Sequence, residues 1–268
     1  MTYEKKPAVL VVSFGTSHQD TREKTIDAIE NTIRQAFPTL AFFRAWTSKM
    51  ILHKLQTEKG IFIPDVRTAM EQMKEAGITD VFIQPTHVIN GIENQQMEAE
   101  AMAYRNCFHS ITLGTPLVTT TEDSLKVVRR IAGEFSWLND QQALVLMGHG
   151  TAHFSNFVYA ALNYTFQEQG YSRILLGTVE AYPSLASVKK QLAQIKPKEV
   201  ILAPFMIVAG DHAKHDMAGP DEDSWASQLR REGYQVQTVL KGLGEYEGIR
   251  NLFLEHLQQA LSKQPSVI

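Results

Sequence analysis

Cysteine is nearly absent: Cys107 is the single thiol in 268 residues. One cysteine excludes an intramolecular disulfide framework and any zinc site built on cysteine pairs. A basic excess is missing too. Lys and Arg number 26 against 29 Asp and Glu, for a formal net charge of −3, so the electrostatic footprint of a nucleic-acid binder is not there. No stretch reaches the roughly 18 consecutive apolar residues that would cross a bilayer. The polar start, Met1 to Pro7, runs straight into Ala8-Val9-Leu10-Val11-Val12, without the length or small-residue cleavage site of a signal peptide. A cytoplasmic protein with neither nucleic-acid nor membrane partner is expected. Nucleotide signatures are lacking as well: no Gly-x-Gly-x-x-Gly follows the first apolar run, and there is no Walker loop. Ser13-Phe14-Gly15-Thr16 does not match a nucleophile elbow, which argues against a serine nucleophile.

What is present is an alternation. Short β-branched runs at 8–13, 39–46, 80–90, 110–118, 143–148, 173–179, 199–209 and 235–241 read as strands. Several are apolar on consecutive residues, as in parallel sheets covered on both faces. Between them lie helical stripes: Ile26, Ile29, Ile33 and Ala36; Leu185, Val188, Leu192 and Ile195; and Ile249, Leu252, Phe253, Leu257 and Leu261 near the end. The rhythm predicts an α/β fold with mainly parallel sheets.

The chain also resembles itself. Ala8–Ser17 matches Ala143–Ala152, which sets Phe14 against His149, Gly15 against Gly150 and Thr16 against Thr151. Val81–Glu93 matches Val200–His212, which sets Pro85 against Pro204, Gly91 against Gly210 and Glu93 against His212. Two similar α/β halves are expected, at 1–121 and 122–268, facing a central cleft, with the last helix crossing back onto the first half. In open α/β sheets ligands bind beyond the carboxyl ends of the strands. Polar residues gather at those ends.

Gly148-His149-Gly150-Thr151 directly follows a strand, with glycine on both sides to let the chain turn. The alternative is a tight turn whose imidazole packs locally. Asp211, His212, His215 and Asp216 fall within six residues after another strand; imidazole and carboxylate together suit a divalent transition metal. One imidazole ligating and the other structural is the expectation, set against a polar helix start with Asp211 as cap and Asp216 in solvent. Glu180 ends a further buried strand, where a carboxylate needs a cation or donors, such as the amides near Ser184. Two His and one Glu with open positions form an exchangeable metal site. His87 ends a strand aimed at the cleft, and Glu93 would face it from the first half.

Taken in order, Val11-Val-Ser-Phe-Gly-Thr-Ser17, Phe43-Arg-Ala-Trp-Thr-Ser48, His87-Val-Ile-Asn-Gly91 with Glu93, Met147-Gly-His-Gly150, Val179-Glu-Ala-Tyr-Pro183 and Val208-Ala-Gly-Asp-His212 resemble the class II tetrapyrrole chelatases. Within that family the chain is most similar to the anaerobic cobalt chelatases of the CbiK type. The resemblance implies insertion of Co²⁺ into sirohydrochlorin with release of two protons, without ATP and without a cofactor beyond the substrate metal. Fe²⁺ and Ni²⁺ stay open as alternative metals, and so does a carrier that binds without inserting. It further implies His149 and His212 as metal ligands with Glu180 as their carboxylate partner. His149 would also act as base, and Glu93 would handle protons or substrate. For the eight carboxylates of sirohydrochlorin the candidates are Ser13, Phe14, Gly15 and Thr16 ahead of a helix N-terminus, with Arg44 and His87. Phe14, Trp46 and Tyr182 are candidates either to stack on or border the ring or to serve as ordinary packing. The apolar face of 154–166 suits either core packing or a homo-oligomer.

Overall fold

The computed structural model describes residues 5–264. The chain divides into two compact units, one of residues up to 117 together with those from 250 onward, the other of 118–249. The division falls four residues before the expected one at 121/122, and the C-terminal residues from 250 count with the first unit. The first four and last four residues assigned to the two halves lie outside the described residues.

The first unit runs β1 (Pro7–Ser13), α1 (Gln19–Lys24), α2 (Ile26–Ala36), β2 (Ala41–Trp46), α3 (Lys49–Lys59), α4 (Val66–Glu75), β3 (Asp80–Pro85), α5 (Ile92–Met102) and β4 (Ser110–Leu113). Its four strands are parallel in the order β2-β1-β3-β4. The second runs α6 (Thr121–Glu134), β5 (Gln142–Gly148), α7 (Phe157–Glu168), β6 (Ile174–Thr178), α8 (Leu185–Ile195), β7 (Glu199–Pro204), α9 (Trp225–Arg231) and β8 (Gln235–Thr238), again parallel, in the order β6-β5-β7-β8. A final helix, α10 (Glu247–Ser262), follows. Among the described residues no helix is long and apolar enough to cross a membrane.

Each unit has its own core. In the first, Ala8, Leu10 and Val12 of β1 pack with Met70 and Met73 of α4. In the second, Val145 and Met147 of β5 pack with Val188 and Leu192 of α8 and Trp225 of α9. Each fully buried aliphatic side chain of this kind contributes about 1.5–3 kcal/mol, so the continuous apolar strands and the 3.6-period helices are what hold the strand ends in place. The expected strands at 80–90 and 199–209 stop at Pro85 and Pro204, as prolines without an N–H end a ladder. Hydrophobicity continues past Pro204 because Phe205 and Ala209 are buried loop residues. The expected 110–118 strand likewise pairs only over Ser110–Leu113.

The duplication is visible in the backbone itself. Thr47 and Ser48 donate their N–H groups to Ser13 O (3.0 Å) and Phe14 O (3.1 Å); Val179 and Glu180 donate theirs to Gly148 O (2.9 Å) and His149 O (2.9 Å). Leu117 donates to His87 O at 2.9 Å as Leu243 does to Met206 O at 2.8 Å. The copies therefore align Phe14 with His149, Ser48 with Glu180, His87 with Met206 and Glu93 with His212. In both sheets the chain leaves the first strand for one neighbour and returns on its other side. The crevice at that reversal, beyond the strand ends, is where such sheets take ligands.

Candidate metal centre

Three strand ends of the second unit converge. β5 delivers His149, β6 delivers Glu180, and the loop after β7 delivers His212. One donor atom from each of these residues lies within 4.8 Å of the other two. Gly150 makes the first approach feasible. Its φ is +89°, and a Cβ there would stand 2.9 Å from both Cβ and N of Ala181, so a side chain would push the His149 and Glu180 loops apart. On the Glu180 side the loop is folded back tightly: the Thr178 N–H and hydroxyl both donate to Pro183 O, at 2.6 and 3.1 Å. The Tyr182–Pro183 bond is cis.

Hydrogen bonds fix both imidazole tautomers. His149 Nδ1 lies 2.8 Å from Gly150 O; a carbonyl only accepts, so Nδ1 carries the proton and Nε2 holds the lone pair. His212 Nδ1 donates to Asp216 Oδ2 at 2.6 Å, which leaves its Nε2, 3.9 Å from Glu180 Oε1, free to ligate. Glu180 Oε2 stands 3.7 Å from His149 Nδ1, and the two rings meet edge to face with centroids 4.7 Å apart. Metal–ligand bonds of about 2.1 Å put tetrahedral donors about 3.4 Å apart, against the 4.8 Å within which the three donor atoms lie. The three side chains stay open to solvent, with exposures of 44% for His149, 52% for Glu180 and 36% for His212. Phe154, Phe157 and Tyr182 are exposed on the segments that follow His149 and Glu180.

The other residues expected at a site sit in the first unit. Phe14 is exposed, whereas Ser13 and Thr16 are buried. The Ser13 hydroxyl accepts from Thr86 Oγ1 at 2.8 Å, and Thr16 Oγ1 accepts from the His18 N–H at 3.2 Å. Gly15 has φ +104° over the ring of Trp46, and Trp46 is fully buried, so it supports the turn from below rather than bordering a ligand. The helix after this turn, α1, has only six residues. The Arg44 guanidinium is engaged by Asp27 at 2.8 Å and by Glu30; burial raises the Glu30 carboxyl, with Arg44 opposing. This pairing ties β2 to α2 and occupies the charge that was expected to meet substrate. Glu93 is half-buried in the first turn of α5. His87 is 9% exposed with Nε2 3.4 Å from Thr47 Oγ1, and desolvation pulls its pKa down to about 4 against the opposing pull of Glu93 and Asn94.

One contributor escaped the sequence reading, and another was read only as a member of a cluster. Asp216, which a polar helix start would leave in solvent, holds His212. The signal was its place four residues after the histidine, one helical turn on. Asn156, whose side chain reaches both Thr151 and Tyr182, left no signal, since its partners are backbone groups. His153 bonds Ser155 within its own turn (Nδ1 to Oγ, 2.9 Å).

The family model described as cobalt chelatase (CbiK) matches residues 7–262. A sirohydrochlorin cobaltochelatase of Salmonella typhimurium is 38% identical over 257 residues, which cover 96% of this chain and 97% of that protein. The sirohydrochlorin cobaltochelatase CbiKC of Nitratidesulfovibrio vulgaris is 30% identical, over 96% of this chain and 91% of its own. Among solved structures, SirB from Bacillus subtilis with Fe³⁺ superposes with a TM-score of 0.65 at 13% identity, covering 97% of this chain and 98% of that one. CbiX, described as the terminal enzyme of siroheme biosynthesis in denitrifying bacteria, gives 0.58 at 16%, covering 95% and 99%. These structural likenesses speak to the fold, two parallel four-stranded α/β units. The match along nearly the whole sequence goes further: the chain belongs to the CbiK family of cobalt chelatases.

Proposed function

We propose that the chain inserts Co²⁺ into sirohydrochlorin, releasing two protons and using neither ATP nor a cofactor beyond the metal substrate. The observation that carries this reading is the open His149–Glu180–His212 set in a member of a cobalt chelatase family. Insertion needs a metal held loosely enough to leave and groups able to take two pyrrole protons. Two neutral imidazoles and one carboxylate meet the first need. They bind a divalent ion through three donors and leave the remaining positions to water and then to ring nitrogen. His149 meets part of the second: once the ion moves into the macrocycle, its Nε2 lone pair is free to accept a proton. Glu93, which holds the place of His212 in the first copy, is the proposed second acceptor. Ser13 to Thr16 and His87 are proposed to support substrate binding from the first unit, Phe14 by direct contact, with the reaction taking place in the cytoplasm.

The test is an anaerobic insertion assay with Co²⁺, Fe²⁺ or Ni²⁺, followed by the absorbance of the macrocycle, on the whole chain and on His149→Ala and Glu180→Gln. Acceleration over the protein-free rate, greatest with Co²⁺ and lost in both variants, is expected. Spectral perturbation of sirohydrochlorin with no acceleration for any metal would mark a carrier and overturn the proposal. Acceleration greatest with Fe²⁺ or Ni²⁺ would keep the chelatase and replace its metal.

A further inference from the structure

We infer that Asn156 is a positioning residue that clamps the His149 and Glu180 loops at metal-binding separation. The inference rests on the metal-site reading above and deepens it. Asn156 closes the 3₁₀ turn Phe154–Asn156 ahead of α7. Its Oδ1 accepts from the Thr151 N–H at 3.0 Å, and its Nδ2 donates to Tyr182 O at 2.5 Å. Thr151 lies two residues past His149, and Tyr182 two past Glu180. One side-chain amide thus joins the two ligand loops by a donor and an acceptor at once, which a carboxylate cannot do and a hydroxyl reaches less far to do.

The clamp has a firm base. Tyr159, Leu162 and Phe166 of α7 are buried, and Tyr159 lies so close to Gly148 that a Cβ on that glycine would stand 2.6 Å from its ring. The loops therefore take their separation from a packed helix. Besides this amide, the Val179 N–H to Gly148 O and Glu180 N–H to His149 O bonds join them at their strand ends.

The first copy of the repeat supplies the comparison. There the frame is the same: Thr16 Oγ1 accepts from the His18 N–H as Thr151 Oγ1 does from the His153 N–H, at 3.2 and 3.1 Å. The place of Asn156 is taken by Thr21, whose hydroxyl donates to His18 O at 3.0 Å and stays within its own loop. That copy carries Phe14 and Ser48 where the second carries His149 and Glu180. The bridging amide occurs in the copy that has ligands to bridge.

The experiment measures Co²⁺ affinity of the whole chain by the visible absorption of the bound ion, beside thermal unfolding without metal, for Asn156→Ala, Asn163→Ala and His149→Ala. Asn163 is the control. It lies on α7, the helix that Asn156 precedes, and makes bonds of a similar kind, from the Leu176 N–H and to Gln191 Oε1, without touching a ligand loop. Asn156→Ala is expected to weaken Co²⁺ binding about 10–100-fold, the usual effect of removing a group that orients a ligand, and to alter the absorption band. Asn163→Ala is expected to lower the unfolding temperature and leave affinity and band unchanged. Wild-type affinity and band in Asn156→Ala, with binding lost in His149→Ala, would overturn the clamp alone. Equal weakening in both asparagine variants would also overturn it, reducing Asn156 to a fold-stabilising residue. Undiminished binding in His149→Ala would overturn the metal-site reading and the clamp with it.

Discussion

His87→Met should make the protein more resistant to mild acid. His87 is buried, and desolvation holds its pKa near 4 in the folded chain instead of the ordinary 6.5. The unfolded chain therefore binds a proton between those values while the folded chain does not. By linkage, stability falls as pH drops through that window, by about 1.4 kcal/mol per pH unit. From pH 7 to pH 5 the loss assigned to this one imidazole is about 2 kcal/mol. Methionine is the natural replacement, because Met206 occupies the corresponding place in the second copy, with its carbonyl accepting from Leu243 as that of His87 does from Leu117. Urea unfolding in chelator-treated buffer at pH 7, 6 and 5 would measure the effect, followed by tryptophan fluorescence, to which buried Trp46 contributes from the same unit. Other histidines titrate in both proteins and cancel in the difference. The stability of His87→Met relative to wild type should rise by about 2 kcal/mol between pH 7 and 5. A difference that stays constant across that range would refute the buried neutral imidazole.

Three further outcomes follow from the metal centre. Asp216→Asn keeps an acceptor for His212 Nδ1 but removes its charge, and should weaken Co²⁺ binding about 10-fold or more, read by titration of the bound ion's absorption, with little change in unfolding temperature. Gly150→Ala forces a side chain into φ +89° and into Ala181; it should cost about 1–2 kcal/mol in conformation alone and abolish insertion, checked by unfolding and by the insertion assay. Phe14→His, Ser48→Glu and Glu93→His together place the second copy's ligands on the first copy's frame and should raise Co²⁺ stoichiometry by one per chain in equilibrium dialysis. The cost is about 1 kcal/mol from the lost Ser48 cap of α3.

The strands and the three stripes were legible because their signal is local: apolar runs ending in proline or glycine, and a 3.6-residue period. The convergence of His149, Glu180 and His212 was legible because each stands just past such a run, and sheet topology turns that shared position into proximity. Arg44 shows where this reasoning fails. Its place in β2 said nothing about which face its side chain takes, and the answer lay 14 and 17 residues away in Glu30 and Asp27 on α2. Trp46 stayed open for a related reason: an aromatic at a strand end reads alike whether it borders a ligand or fills the space beneath Gly15, and its burial selects the second. Asn156 lies beyond this kind of reading because its partners are backbone groups, whereas Asp216 was readable in its cluster and in its spacing from His212.

The difference between the two copies bears on how a metal can be held and still be given up. A closed cage of thiolates would retain Co²⁺ against a tetrapyrrole. In the proposed site a single carboxylate and two neutral imidazoles would leave the ion with a net positive charge and with coordination positions open to water. The deprotonated macrocycle offers four nitrogens and two negative charges, so transfer runs toward the ring. What the protein must prevent is the opposite failure, ligands too mobile to gather the ion at all. The backbone frame common to both copies brings the matching strand ends together, and in the first it carries phenylalanine and serine at those places. In the second copy the Asp216 bond to His212 and the Asn156 bridge between loops order the ligands without adding a donor, so they tighten the geometry while leaving the exit open.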